Sequence, residues 1–175
     1  MSETAKYRHL TQKYCYRPDG QPGCGVDIAS QGDSVVPWAM GFDLPQAEFN
    51  IYCGGAAAKG DIQLRGWAHD LPFENNSLDF VYSSHLLEDY PRNMWPGIMG
   101  EWKRCLKVGG HLIILVPEVT EWNYAITVIG QCDNNGHSKP EPSVGDMSAV
   151  AKQLGMEIIE ERMTKCFEHD YTILG

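Results

Sequence analysis

Two apolar runs, Leu78-Asp-Phe-Val-Tyr-Ser83 and His111 to Val116, flank a stretch in which Trp95, Ile98, Met99, Trp102 and Leu106 recur at helical spacing. Short apolar runs of this kind read as strands buried in a parallel sheet, and the period between them reads as a helix. Strand, crossover helix and strand predict a right-handed unit, with any ligand beyond the carboxyl ends of its strands. Pro96 suits the first turn of that helix and Gly109 its stop, while Glu101, Lys103, Arg104 and Lys107 read as its solvated face.

The rest of the chain is organised around this unit. With 175 residues, and no internal repeat, residues 1–175 are expected to form a single domain. Residues 1–22 predict an N-terminal helix carrying Tyr7, Leu10 and Tyr14 on one face, then a Pro/Gly loop. Gly25-Val-Asp-Ile-Ala29 and Met40-Gly-Phe-Asp43 predict two parallel strands. Ile62 to Arg65 predicts a third, after a loop over residues 46–61 with one helical turn. Only a turn or so of helix fits between Ser30 and Met40, so the first crossover helix is expected to be short. Residues 118–142 form a long connection at a strand's carboxyl end, which predicts a segment covering a site. Ser143-Val-Gly-Asp146 reads as a capping box before a helix through Leu154, and Met156–Glu160 and Tyr171–Leu174 read as two last strands.

A formal charge of -9 with no run of Lys or Arg argues against a nucleic-acid polymer as partner and leaves a small molecule. The six cysteines show neither Cys-x-x-Cys nor the paired Cys/His spacing of a zinc site, so no metal is expected and free thiols are. No window has the length and apolarity of a membrane span and the N-terminus lacks a leader pattern, so the expectation is a cytoplasmic protein without membrane attachment.

Asp43, closing the second strand with Leu44 beside it, is placed to accept hydrogen bonds from both hydroxyls of a ribose. Leu-Pro-Phe before Leu78-Asp-Phe-Val-Tyr-Ser-Ser-His-Leu-Leu-Glu88, and Glu101-Trp-Lys-Arg-Cys-Leu-Lys-Val-Gly-Gly-His-Leu before the next strand, resemble the class I S-adenosylmethionine-dependent methyltransferases, most closely their small UbiE-like branch. The resemblance covers residues 23–174 and implies an α/β, Rossmann-like, mostly parallel sheet of seven strands in the order 3-2-1-4-5-7-6, the last antiparallel. It implies S-adenosylmethionine as cofactor, held by Asp27, Ala29, Ser30 and Gln31 after the first strand and by Asp43 and Leu44 after the second. Trp67, Ala68, His69 and Asp70 would follow the third strand, and Ser83 and Ser84 end the fourth. Ala29 and Gln31 stand where the family carries glycines, and Trp67 where it carries an aspartate facing the adenine amino group.

Methyl transfer needs donor and acceptor held in contact, and a base only where the acceptor must lose a proton. His85, just past the fourth strand, and His137, in the covering segment, are the candidate bases, with Glu88 and Glu141 as further candidates. Trp122 and Tyr124 could wall an acceptor pocket. The expected activity is methyl transfer to a small-molecule oxygen or nitrogen. The alternative is a methyltransferase-fold binding or regulatory module without turnover, suggested by Gln31 and Trp67. As a lid that segment is small, which leaves either an open site or one completed in a homodimer.

Overall fold

The computed structural model describes residues 3–124, 126–127, 137, 139–143, 145–163 and 171–174. Contacts divide the chain into two compact units, Met1–Ser84 with Gly100–Ile113, and His85–Met99 with Ile114–Gly175.

The first unit contains the strands β1 (Gly25–Ile28), β2 (Met40–Asp43), β3 (Leu64–Arg65), β4 (Leu78–Ser84) and the first part of β5 (Leu106–Pro117), in the order β3-β2-β1-β4-β5. β1 runs parallel to β2, Ile28 opposite Phe42, and parallel to β4, Ile28 opposite Ser83. β2 runs parallel to β3, with Asp43 opposite Arg65. Val26, Ile28, Phe42, Phe80 and Tyr82 are all buried, as a parallel sheet covered on both faces requires. The helices of this unit are α1 (Glu3–Thr11), α2 (Gln46–Tyr52) and the end of α3 (Trp95–Cys105), whose Trp102 is fully buried.

In the second unit the end of β5 pairs antiparallel with β7 (Tyr171–Leu174), which pairs antiparallel with β6 (Glu161–Arg162). This unit also holds the start of α3, then α4 (Val119–Tyr124) and α5 (Asp146–Gln153). The Val119 N–H donates to the Pro142 carbonyl at 2.7 Å, joining the two ends of the 118–142 segment.

Several local expectations are corrected. The first crossover is not a shortened helix: residues 30–39 form turns and bends with no helical residue. Tertiary bonds use up that backbone. Arg8 donates to the Ser34 and Val35 carbonyls and to the Asp33 carboxylate, and Asp27 accepts the Val35 N–H at 2.6 Å. Residues 46–52 form a full helix, because Gly54 and Gly55, at φ 58° and 80°, end it without entering it. Strand β6 lies at Glu161–Arg162, later than Met156–Glu160. The residue before α5 is Gly145, although the Asp146 carboxylate does accept bonds from the Ser143 N–H and hydroxyl, at 2.7 and 2.8 Å. Glu101 and Arg104 are not a solvated face. Arg104 donates to the Leu71 and Phe73 carbonyls, Glu101 accepts the Leu71 N–H, and the two join at 2.7 Å.

Candidate functional site

The residues expected to bind a cofactor lie in the first unit, at the carboxyl ends of β1, β2, β3 and β4. Asp27, within β1, is buried, and burial pushes its carboxyl well above the usual carboxylate range despite the hydrogen bond from Val35. It braces the loop from inside the sheet. After β1 the backbone turns left-handed at Ala29 (φ 63°), Gln31 (φ 49°) and Gly32 (φ 83°). Such angles suit glycine and cost other residues about 1–2 kcal/mol. The chain therefore keeps a glycine backbone at two positions where its side chains are alanine and glutamine.

Hydrogen bonds hold this loop in place. Ala29 N–H donates to the Phe42 carbonyl at 2.9 Å, Gly32 N–H to the Ser30 hydroxyl at 3.2 Å, and Gln31 N–H to the Asp43 carboxylate at 2.8 Å. The other Asp43 oxygen accepts the N–H of Leu44 at 2.9 Å. Burial raises the Asp43 carboxyl above its ordinary value, and these two N–H groups pull it back part of the way. The segment after α2 packs on the same loop. Lys59 N–H donates to the Gln31 carbonyl at 2.6 Å, and a Cβ on Gly60 would stand 2.2 Å from the Gly32 carbonyl oxygen.

Beyond β3, the Asp70 N–H donates to the Trp67 carbonyl at 3.0 Å and closes a tight turn. Ala68 in this turn is buried, and its carbonyl accepts the Trp102 indole N–H at 2.8 Å. Trp67 and His69 are exposed, and their rings stack at 6.1 Å and 25°. At the end of β4, Ser83 and Ser84 are buried, and no described residue accepts from or donates to the Ser83 hydroxyl.

The candidate bases lie in the second unit and come together there. His85 takes φ 56°, a left-handed angle uncommon for a residue with a side chain and enriched at functional sites. Its Nδ1 is 3.1 Å from Glu88 Oε1, and Glu88 is fully buried. His137 Nδ1 is 2.8 Å from Glu141 Oε1, and its Nε2 lies 4.0 Å from both Glu88 Oε1 and Asp89 Oδ1. Burial alone would lower the His137 pKa, but the bond to Glu141 and the charges of Glu88, Glu141 and Asp89 outweigh it and hold the value above the ordinary one. Lys139 shares the same Glu141 oxygen at 2.8 Å. The side chains of Trp122 and Tyr124 lie outside the described residues. Among the described residues, no group of three or more His, Cys, Asp or Glu could hold a metal ion. The four described cysteines are free thiols, and burial pushes Cys15 up to about 12, where it is inert.

Sequence reasoning missed the clamp formed by Trp102, Glu101 and Arg104 under the Trp67–Asp70 turn, and the contact of Lys59 and Gly60 with the β1 loop. The clamp had a signal, since a Glu and an Arg three residues apart on a helix can join. The loop contact had none, because it joins residues far apart in sequence.

This arrangement of strands, with an acidic residue ending β2 and a left-handed loop after β1, is a Rossmann-like α/β fold similar to that of solved methyltransferases. Residues 41–114 match the family model described as a methyltransferase domain. Over 71 residues the chain is 37% identical to a Mycobacterium ulcerans (strain Agy99) protein named "Probable phthiotriol/phenolphthiotriol dimycocerosates methyltransferase 2", a match covering 38% of this chain and 27% of that one. The chain thus spans about a quarter of the curated relative it matches. Among solved structures it is similar to the PH0226 protein of Pyrococcus horikoshii OT3, with TM-score 0.67 and 14% identity over 98% of this chain and 88% of that one. It is also similar to a SAM-dependent methyltransferase of Archaeoglobus fulgidus, with TM-score 0.64 and 17% identity over 90% and 72% of the two chains. At these identities the likeness is one of fold. S-adenosylmethionine is the cofactor that the names of such neighbours carry.

The residues present fit that cofactor. Asp43 offers two buried carboxylate oxygens whose main-chain partners leave further lone pairs, and the Ser83 hydroxyl is a buried polar atom for which the described residues supply no partner.

Proposed function

We propose that the chain is an enzyme that binds S-adenosylmethionine at the carboxyl ends of β1 to β4 and transfers its methyl group to a small-molecule oxygen or nitrogen. The observation that carries this reading is the carboxylate of Asp43, joined to the left-handed β1 loop through Gln31. Asp43 would take the ribose hydroxyls, the Ala29–Gly32 loop the amino-acid end, and Ser83 a polar atom of the same ligand. Bound there, the cofactor supplies an electrophilic methyl group on a sulfonium, so the protein's part is placement.

His85 would take the acceptor's proton. The Glu88 carboxylate beside Nδ1 favours the tautomer with the proton on that nitrogen, which leaves Nε2 as the basic atom. His137, whose pKa the bond to Glu141 helps to raise, is the second proton-handling group. The acidic net charge and the absence of a basic run support a small acceptor over a nucleic-acid polymer.

Calorimetry with S-adenosylmethionine and S-adenosylhomocysteine tests the reading: saturable heat with both is expected, and silence on folded protein overturns it. Once an acceptor is found, His85→Gln should lower turnover about 100-fold or more if that acceptor is a hydroxyl. A second reading, a binding module without turnover, is favoured by the contact of Lys59 and Gly60 with the β1 loop, which lays the chain's own backbone against the amino-acid end. Under that reading the chain would bind the ligand in calorimetry yet yield no methylated product with any acceptor.

A further inference from the structure

We infer that this chain holds the base of its nucleoside ligand by stacking on Trp67 and does not select for the exocyclic amino group, so that a hypoxanthine nucleoside is accepted as well as an adenine one. The inference rests on the cofactor reading above and names what that site recognises. Arg65 lies opposite Asp43 in the β2–β3 register, so Trp67 stands two residues, about 7 Å, further along the neighbouring strand's path. A nucleoside with its ribose on Asp43 brings its base within reach of that indole.

The turn carrying Trp67 is built as a platform. Gly66 N–H donates to the Asp43 carbonyl at 2.9 Å, and a Cβ on Gly66 would meet Phe42 Cζ at 3.0 Å, so the turn is seated directly on β2. Ala68 points inward, its carbonyl fixed by Trp102, and Glu101 holds the Leu71 N–H. The residues on either side of Ala68 are thereby turned out: Trp67 is 42% exposed, with His69 stacked beside it. A tryptophan presented on so well-anchored a turn offers a planar surface that a base can cover. Stacking is tolerant of base identity because every base has a π-face. A site rejects an analogue strongly only where it hydrogen-bonds the distinguishing group. Trp67 has no acceptor to give an amino group, so the indole that the base covers does not distinguish an amino from a carbonyl substituent.

The test compares S-adenosylhomocysteine with its deaminated counterpart, S-inosylhomocysteine, by calorimetry on the whole chain. Dissociation constants within about threefold of each other are expected. Trp67→Ala should weaken both roughly tenfold, Trp67→Phe should restore most of the loss, and circular dichroism should show both variants folded. A preference of 30-fold or more for the adenine form in the unaltered chain overturns the inference, and its disappearance in Asp70→Asn would identify Asp70 as the reader instead. Equal binding that Trp67→Ala leaves unchanged also overturns it. Silence with both ligands removes the cofactor reading itself, and this inference with it, whereas the preceding outcomes leave that reading standing.

Discussion

The carboxylate of Asp43 accepts the main-chain N–H of Gln31 on one oxygen, at 2.8 Å, and that of Leu44 on the other, at 2.9 Å. One side chain at the end of β2 thus fixes the loop after β1 and keeps further lone pairs for a ligand. Asp43→Ala should lower stability by about 1.5–3 kcal/mol, the usual worth of hydrogen bonds to a charged group, and abolish measurable S-adenosylmethionine binding. Urea unfolding and calorimetry on the same preparation separate the two effects.

Ala29 and Gln31 sit at φ 63° and 49°. Glycine relieves the Cβ crowding there, so Ala29→Gly and Gln31→Gly should each be neutral or stabilising by up to about 1 kcal/mol. Almost any other loop position would lose stability on such a change. Thermal unfolding checks this, and the same Gln31→Gly protein should bind cofactor at least as tightly as the unaltered chain.

Asp27 makes stability depend on pH. Its folded pKa lies well above the usual carboxylate value because burial penalises the charge, so the native state holds the proton that the unfolded state has released. Stability from this group therefore falls as pH rises from the unfolded value of about 3.8 toward the folded one. Asp27→Asn keeps an oxygen for the Val35 N–H and cannot ionise. It should match the unaltered protein near pH 4 and equal or exceed it at pH 7, as followed by urea midpoints across that range.

His137 acts with the opposite chemistry. Its folded pKa is raised, against the lowering effect of burial, by the Glu141 bond and the neighbouring carboxylates, so its contribution is complete below the ordinary value of 6.5 and disappears as pH rises through the raised one. Glu141→Gln should flatten that decline between pH 6 and 9. Nuclear magnetic resonance titration of the imidazole should show its midpoint moving down in the variant.

Arg104 should be needed for the platform beyond β3. It bonds the Leu71 and Phe73 carbonyls and the Asn75 side chain, and it joins Glu101, which holds the Leu71 N–H. Arg104→Ala should cost about 1–3 kcal/mol, through the buried polar groups it leaves unpaired. Hydrogen exchange should localise the loss of protection to residues 68–77, ahead of any change in β1.

These relationships show what could be read from residues alone. β4 and α3 were legible because their pattern is local: LDFVYSS is a short, largely apolar run of strand length, and Trp95, Ile98, Met99 and Trp102 repeat at the helical period. Asp43 was legible as a strand-end acid. The role of Arg104 was not, because its partners at Leu71 and Phe73 lie some thirty residues away and helical spacing alone cannot tell a solvated charge from one that clamps a loop. Residues 46–52 were not legible as a helix because Gly54 and Gly55 follow so closely, although such breakers end a helix without acting on the residues before it.

The sequence by itself determined the class of fold, since apolar runs, helical periods and the Ser83–Glu88 and Glu101–Gly110 motifs are properties of contiguous residues. Tertiary structure alone decided the shape of the site. Ala29 and Gln31 adopt a glycine's backbone because Phe42, Asp43 and Lys59 hold the loop from three directions. Trp67 faces outward because Trp102 fixes the Ala68 carbonyl from below. His85, Glu88, His137 and Glu141, spread over 57 residues, meet only where the chain folds back on itself. Local propensity carries no term for such contacts, and in the β1 loop it opposes the conformation that they impose.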